Sequence, residues 1–195
     1  RLLVGDFAGF ETMLDVLHAK SVLMSVKNGE VRLALRNLDK VRAKITRNED
    51  KVYETLLENP VGSFYALDTM ALDLPRLDDG EYRIRCYDGN DQIGSCHYPK
   101  YTLSVASRVN DEGTGVYVAD YLSGKPLDKV DMTLYKGDRK VAETSGIVLD
   151  GFTPLPQEMA SRLTENASGH YRVCSTVGGD GTVRRSQDVY LSAEK

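Results

Sequence analysis

From Ser21 onward, hydrophobic residues recur at every second position over most of the chain. Val31, Leu33 and Leu35 show the pattern first, and it resumes at Val41 after the turn-forming sequence Asn37-Leu38-Asp39. A period of two places alternate side chains on opposite faces of a β-strand, one buried and one solvated. The two segments therefore predict an antiparallel hairpin.

The same period returns at regular intervals, separated by residues typical of turns. The further segments that show it are Phe64–Leu72, Tyr82–Cys86, Gln92–Tyr98, Tyr101–Val105, Gly115–Asp120, Val130–Tyr135, Lys140–Thr144, Tyr171–Ser175 and Val189–Leu191. Short strands at this spacing predict β-sandwiches, and the lack of intervening helices disfavours a parallel sheet. We predict an all-β protein of two tandem antiparallel β-sandwich domains, immunoglobulin-like in type.

Three segments break the alternation. Apolar residues at Phe10, Met13, Leu14 and Leu17 follow helical spacing, which predicts a short helix over Phe10–Ala19. Residues 48–60 are strongly charged and carry three apolar residues at near-helical spacing, so we expect a loop with one or two helical turns there. Residues 154–168 contain two prolines ahead of Gln157–Leu163, and this last stretch is expected to form one or two helical turns.

The polar, turn-rich sequence Arg108–Gly113 is the best candidate for a domain boundary. We therefore predict an N-terminal helical segment over residues 1–20, a first sandwich over residues 21–107 and a second over residues 108–195. Polar linkers between sandwiches commonly permit relative motion of the domains.

Composition narrows the classes of partner. The chain has 195 residues, 41% of them hydrophobic and 28% charged, with a net charge of −4. Because no Lys/Arg block offsets that charge, a nucleic-acid partner is not expected. No apolar run reaches the roughly 18 residues of a membrane span, so this segment is expected to make no membrane contact.

The three cysteines, Cys86, Cys96 and Cys174, lack metal-ligand spacing. Cys86 and Cys96 flank the turn Asp88–Asp91, and a disulfide across that hairpin is one interpretation. Three free thiols are the other interpretation.

Other chemistry-bearing patterns are weak. His18, His97 and His170 lie in no nucleophile motif, and Gly178-Gly179-Asp180-Gly181 has the composition of a hairpin turn. The acidic turns lack the spaced ligands of a calcium loop, although Asp111 and Glu112 leave calcium in the linker as an alternative. Asn166-Ala167-Ser168 fits a glycosylation acceptor, which matters only in a eukaryotic secretory pathway. We therefore predict no catalytic, cofactor-binding or metal-binding residue, no cofactor, and a protein that is not an enzyme.

Three stretches resemble the macroglobulin-type modules of the alpha-2-macroglobulin family, particularly its bacterial branch. They are Leu35–Ile45 with its Asn37 turn, Leu72–Tyr82 with Leu74-Pro75 and Gly80, and Tyr117–Pro126 with Gly124-Lys125-Pro126. The third stretch is similar to the opening of the family's second macroglobulin domain. The resemblance covers Ser21–Gly151, whereas residues 1–20 and 154–168 depart from it.

Members of this family trap proteases, and many capture them through a thioester in a Cys-Gly-Glu-Gln sequence, which this chain lacks. The resemblance therefore implies a scaffold segment of a larger protein in the periplasm, on the cell surface or secreted. The implied partners are neighbouring domains of the parent chain and proteases. A surface adhesion or ligand-binding module is the alternative function, and an enzyme accessory domain is a third.

Overall fold

The computed structural model describes residues 18–27, 29–59, 67–165, 170–179 and 181–191, and these divide into two compact units. Unit 1 comprises Arg1–Pro75 and Glu81–Pro99, and unit 2 comprises Arg76–Gly80 and Lys100–Lys195. The all-β class and the antiparallel sandwich architecture predicted from the alternation are confirmed. All of the predicted helix Phe10–Ala19 before His18 lies outside the described residues.

Unit 1 contains two antiparallel sheets, ordered β1-β2-β5 and β4-β3-β6-β7. Its strands are β1 (Ser21–Lys27), β2 (Glu30–Arg36), β3 (Lys40–Arg47), β4 (Asp50–Glu58), β5 (Asp68–Leu72), β6 (Gly80–Asp88) and β7 (Asp91–Lys100). The alternating residues of β2 and β3 supply its core: Val31, Leu33, Leu35, Val41, Ala43 and Ile45 are each at most 1% exposed. Asn37 has a φ of 56°, the left-handed conformation that the turn between these strands requires.

Unit 2 contains a three-stranded sheet ordered β12-β9-β8 and a sheet ordered β11-β10-β13-β14, with β15 also paired to β13. Its strands are β8 (Leu103–Asn110), β9 (Gly113–Asp120), β10 (Lys129–Lys136), β11 (Arg139–Val148), β12 (Thr153–Pro154), β13 (Tyr171–Gly179), β14 (Thr182–Arg185) and β15 (Val189–Leu191). Val116 and Val118 from one sheet share a hydrophobic core with Met132, Leu134 and Val173 from the other.

Helix α1 (Gln157–Glu165) closes this core, and it lies where the sequence predicted one or two helical turns over Gln157–Leu163. Met159 and Leu163 face inward and are 0% and 6% exposed. At the C-terminal end of the helix, the Tyr171 hydroxyl donates to the carbonyl oxygen of Arg162 at 3.0 Å. That bond satisfies one carbonyl of the last turn, which has no partner inside the helix.

The prediction of helical turns within residues 48–60 is wrong. Strand β4 occupies most of this segment and pairs with β3 along its length. Asn48 and Glu49 have φ angles of 51° and 68°, the positive pair that a two-residue type I′ hairpin turn requires. As the outer strand of its sheet, β4 exposes Val52 and Leu56 to solvent, so it has no clean period of two.

The predicted linker Arg108–Gly113 forms instead the closed end of the β8–β9 hairpin, in which Asn110 pairs with Gly113. The backbone N–H of Glu112 donates to Asn110 Oδ1 at 3.0 Å, and Gly113 has a φ of 107°. Turns and linkers are built from the same residue types, so the composition of Arg108–Gly113 does not distinguish a hairpin turn from a linker. The units divide instead between Pro99 and Lys100, so β8 belongs to unit 2.

Candidate functional site

The most densely bonded polar site in the described residues surrounds Asp79, in the segment that precedes β6 in sequence. Asp79 is 3% exposed. Its Oδ2 atom accepts hydrogen bonds from the Thr102 backbone N–H at 2.9 Å, the Thr102 hydroxyl at 2.5 Å and the Arg185 backbone N–H at 2.7 Å. The ammonium of Lys100 donates to Oδ1 at 3.0 Å. The carboxylate therefore exchanges its water shell for a full set of protein donors.

A second layer surrounds Thr102. The Arg184 guanidinium donates to the hydroxyl and to the carbonyl oxygen of Thr102, both at 3.0 Å. The same guanidinium donates to Asp120 Oδ2 at 2.5 Å. We refer to Asp79, Lys100, Thr102, Arg184 and the backbone of Arg185 as the Asp79 anchor.

Backbone pairing extends the Asp79 anchor along β14. The N–H of Asp79 donates to the Val183 carbonyl oxygen at 2.9 Å, and the N–H of Val183 donates to Asp78 Oδ1 at 2.8 Å. Lys100 Nζ also donates to the Leu77 carbonyl oxygen at 2.7 Å. The segment Arg76–Gly80 is thus held to β14 by both backbone and side-chain bonds.

Electrostatics keep the acidic members of this region ionised. Burial alone raises the pKa of Asp79, but the hydrogen bonds from Thr102, Arg185 and Lys100 together outweigh burial and hold that pKa below its ordinary value. The pKa of Asp120 falls to about 2, because the backbone and hydroxyl of Ser123 and then Arg184 donate to its carboxylate. Both groups are anionic at neutral pH and are matched by donors.

The Asp79 anchor is suited to holding chain segments together. It contains no thiol or imidazole, and its carboxylate oxygens accept from protein donors on both sides. Within the described residues, no group of three or more His, Cys, Asp or Glu side chains could hold a metal ion. The prediction that the chain is not an enzyme, and that it has no site residues, stays a prediction.

The three histidines lie beside or on different strands. His97 lies on β7, where its Nε2 contacts Glu81 Oε2 at the surface, and His170 precedes β13, with its carbonyl oxygen accepting from Gly137. His18 precedes β1 in the other sheet of unit 1.

All three cysteines are free, which decides between the two interpretations of Cys86 and Cys96. Cys86 faces the interior of unit 1, where its Sγ lies 3.7 Å from the Met24 sulfur. Burial, with a smaller contribution from Cys96, raises the pKa of Cys86 to about 11. Burial also raises the pKa of Cys96 and Cys174, so all three thiols are weak nucleophiles at neutral pH.

The Gly124 turn between β9 and β10 is a tight turn. Gly124 has a φ of 69° and donates its N–H to the Asp120 carbonyl oxygen at 2.9 Å, and Pro126 forms a bridge to Ala119. The Asp120 carboxylate also accepts from the N–H and the hydroxyl of Ser123, each at 2.9 Å. At the tip of this turn, Tyr121 and Leu122 are 62% and 74% exposed.

A surface depression lies beside the β8–β9 hairpin, lined among others by Arg108, Asn110, Gly115, Phe152 and Pro154. The Arg108 guanidinium lies 5.1 Å from the centroid of the Phe152 ring, and that ring packs on Tyr117 at 5.7 Å. This arrangement is a cation–π contact on an exposed sheet face.

Sequence reasoning missed the Asp79 anchor. Asp78-Asp79-Gly80 has the composition of a turn, and nothing in the local pattern separates Asp79 from its neighbour Asp78. The signal that existed was the pair of cationic residues Arg184 and Arg185 in a short strand. No single-sequence rule joins positions 106 residues apart, as Asp79 and Arg185 are.

No protein-family model matches the chain, and no curated protein matches it in sequence. Among solved structures, it is similar to a crystal structure of native alpha-2-macroglobulin from Escherichia coli spanning domains MG0-NIE-MG1. The TM-score is 0.45 at 10% identity, over 85% of this chain and 63% of that one. This chain therefore corresponds to less than two thirds of that structure, and a similarity at this level carries no argument about activity. None of the helices in the described part of the chain is long and apolar enough to span a membrane.

Proposed function

We propose that the chain is a non-catalytic scaffold segment of a larger, extracytoplasmic alpha-2-macroglobulin-like protein that traps proteases. The observation that carries the proposal is the Asp79 anchor. Its buried carboxylate joins Arg76–Gly80, Lys100–Thr102 and β14 by internal hydrogen bonds. A scaffold module needs chain crossings that are held firmly, whereas an enzyme needs polar groups that are left open to a substrate.

The sequence supports the same proposal. The Tyr117–Pro126 stretch resembles the start of a macroglobulin domain, and Gly124 within it adopts the positive φ of a tight turn. The partners of the segment would be neighbouring domains of the parent chain, and the parent would meet proteases.

Limited proteolysis of the parent protein tests this proposal. Sedimentation velocity is measured before and after exposure to a panel of proteases, with active-site-blocked forms of the same proteases as the matched control. We expect active proteases alone to produce a more compact particle that retains the protease. Fragmentation without compaction or retention overturns the trapping function.

A surface adhesion or ligand-binding module is the second candidate, favoured by Tyr121 and Leu122 at the tip of the Gly124 turn. Two large apolar side chains exposed at 62% and 74% on one loop tip are typical of a contact site. Glycan and host-protein binding screens test it, with a Tyr121→Ser/Leu122→Ser variant as the control. Binding that this variant abolishes supports adhesion, and an absence of binding by the parent protein removes this candidate.

A further inference from the structure

Met24 on β1 and Cys86 on β6 bring two sulfur atoms into contact inside unit 1. The Cys86 Sγ lies 3.7 Å from the Met24 sulfur, and the two strands belong to different sheets. The residues are 62 positions apart, so no local spacing pattern predicts the contact.

Cys96 on β7 places a third sulfur beside this pair. A Cβ added to Gly94 would meet the Met24 methyl carbon at 3.4 Å, so the inner face of β7 at Gly94 points toward Met24. Residues two apart on a strand share a face, and Cys96 is half-buried like Gly94, whereas Ser95 between them is exposed. The Cys96 thiol also contributes to the raised pKa of Cys86. We refer to Met24, Cys86 and Cys96 as the sulfur site.

The sulfur site is closed on one side and accessible on the other. Cys86 is 0% exposed, whereas Met24 and Cys96 are half-buried. Both half-buried residues lie on outer strands of their sheets, β1 and β7. The edge of the sandwich therefore gives an ion a path to the sulfurs that does not require the core to open.

The separation of the two sulfurs in contact fits a shared metal ion. If each metal–sulfur bond is about 2.3 Å long, as in zinc–thiolate sites, atoms 3.7 Å apart enclose an angle of about 107° at the ion. That angle is close to the tetrahedral one and is within a small displacement of the trigonal one. Coordination by this pair therefore needs little movement of β1 or β6.

The donor atoms select the class of metal. Thiolate and thioether sulfurs are soft ligands that favour Cu(I), whereas calcium and magnesium take oxygen ligands. Structural zinc takes four nitrogen or sulfur ligands, one more than this site offers. Val22 and Ile84, each two residues from a ligand on its strand, are buried and extend the apolar surroundings that suit a soft monovalent ion.

We propose that Met24, Cys86 and Cys96 form a binding site for one Cu(I) ion, with both cysteines as thiolates. On binding, each thiol releases one proton to solvent and forms one copper–sulfur bond, and the oxidation state of copper does not change. This site departs from the sequence prediction of no metal-binding residue, which rested on the spacing of cysteines along the chain.

Competition for Cu(I) with the chelator bathocuproine disulfonate, in anaerobic buffer containing ascorbate, tests the proposal on the purified 195-residue chain. We expect one equivalent of Cu(I) to bind. Met24→Leu conserves volume and should weaken binding at least about tenfold, and Cys96→Ser should weaken it at least about tenfold as well. Met70→Leu on β5 and Cys174→Ala in unit 2 are the matched controls and should bind as the parent does.

Two further readouts distinguish this site from adventitious copper binding. Because burial raises the pKa of Cys86 and of Cys96, both thiols are protonated at neutral pH. Displacing two protons should make the apparent affinity rise about a hundredfold per pH unit, and about tenfold in Cys96→Ser. One equivalent of Ag(I), a soft ion of the same charge, should protect Cys96 from iodoacetamide.

Four results would each overturn the proposal. They are a chain that binds no Cu(I), binding that Met24→Leu leaves unchanged, binding that Cys174→Ala removes, and an affinity independent of pH. Since Met24 and Cys96 are half-buried, their variants should fold as the parent does, which thermal unfolding in the absence of copper checks.

Discussion

The ammonium nitrogen of Lys100 lies 3.0 Å from Oδ1 of Asp79, yet the two side chains differ in exposure, at 28% and 1%. Lys100 retains part of its hydration, whereas Asp79 depends on protein donors for all of its solvation. Removing Asp79 and removing Lys100 should therefore lower the free energy of unfolding by different amounts, because an unpaired group costs most where water cannot reach it.

Asp79→Asn should lower the free energy of unfolding by about 3 kcal/mol, since the amide group turns a donor toward the Lys100 ammonium. Lys100→Met should cost less, about 1 kcal/mol, because three donors to the carboxylate remain. Urea denaturation measures both, with the exposed Asp73→Asn as a control expected to change stability by less than about 0.5 kcal/mol. Equal losses for the two variants would contradict the asymmetry in solvation.

Acid should destabilise the protein through the same region. The pKa of Asp120 is about 2 in the folded chain and that of Asp79 is also lowered, against about 3.9 for an unfolded aspartate. Their stabilising contribution is complete above about pH 4. As the pH falls below 4, the unfolded chain takes up protons first, so stability is lost down to about pH 2 for Asp120.

Urea midpoints at pH 5, 4 and 3 measure this loss. Asp120→Asn should show a shallower decline with falling pH than the parent chain, because it lacks one of the groups that gain protons on unfolding. Asp73→Asn should follow the parent. A decline in Asp120→Asn as steep as that of the parent would remove Asp120 from the explanation.

A glycine at position 49 should stabilise the turn between β3 and β4. Glu49 has a φ of 68°, a conformation that costs an L-residue about 1 kcal/mol and glycine almost nothing. Glu49→Gly should therefore stabilise the chain by about 0.5 kcal/mol, after allowing for the greater freedom of glycine when unfolded. Thermal unfolding measures the gain.

Glu49→Ala is the matched control, since both variants lose the exposed contact between Glu49 and Arg85 but only glycine relieves the backbone. If alanine stabilised as much as glycine, the turn conformation would not be the cause.

The thiols should react in an order set by burial. Cys86 and Cys174 are 0% and 2% exposed, whereas Cys96 is half-buried. Brief alkylation of the native chain with iodoacetamide at pH 8 should therefore modify Cys96 first, with all three modified in urea. Peptide mass spectrometry distinguishes the sites. Modification of Cys86 before Cys96 would contradict the packing of Cys86 against Met24.

Local periodicity predicts most of the strands but not which strands pair with each other. Val31, Leu33 and Leu35 predicted β2 because one face of that strand is fully buried. β4 was missed because an outer strand exposes residues on both faces, which removes the alternation that identifies a strand. A strand is therefore evident from the sequence only where a core imposes the alternating pattern.

The unit boundary and the Asp79 anchor were missed for a different reason. Asn110 and Gly113 form a tight hairpin turn with the same residues that would form a linker, so composition could not separate the two. Asp79 and Arg185 meet only after the intervening strands have assembled. A contact of that range depends on tertiary structure, which no local pattern records.

The hydrogen bond from the Arg185 backbone to Asp79 also bears on the order of events at the ribosome. Synthesis proceeds from the N-terminus, so the strands of unit 1, which end by Lys100, have all emerged before β14 exists. Until Arg185 arrives, 106 residues after Asp79, the aspartate keeps its water and the segment around it has no strand to join. Unit 2 thus completes its fold only after β14 has emerged, and a chain that stalls before that point leaves the Asp79 carboxylate without its Arg185 donor.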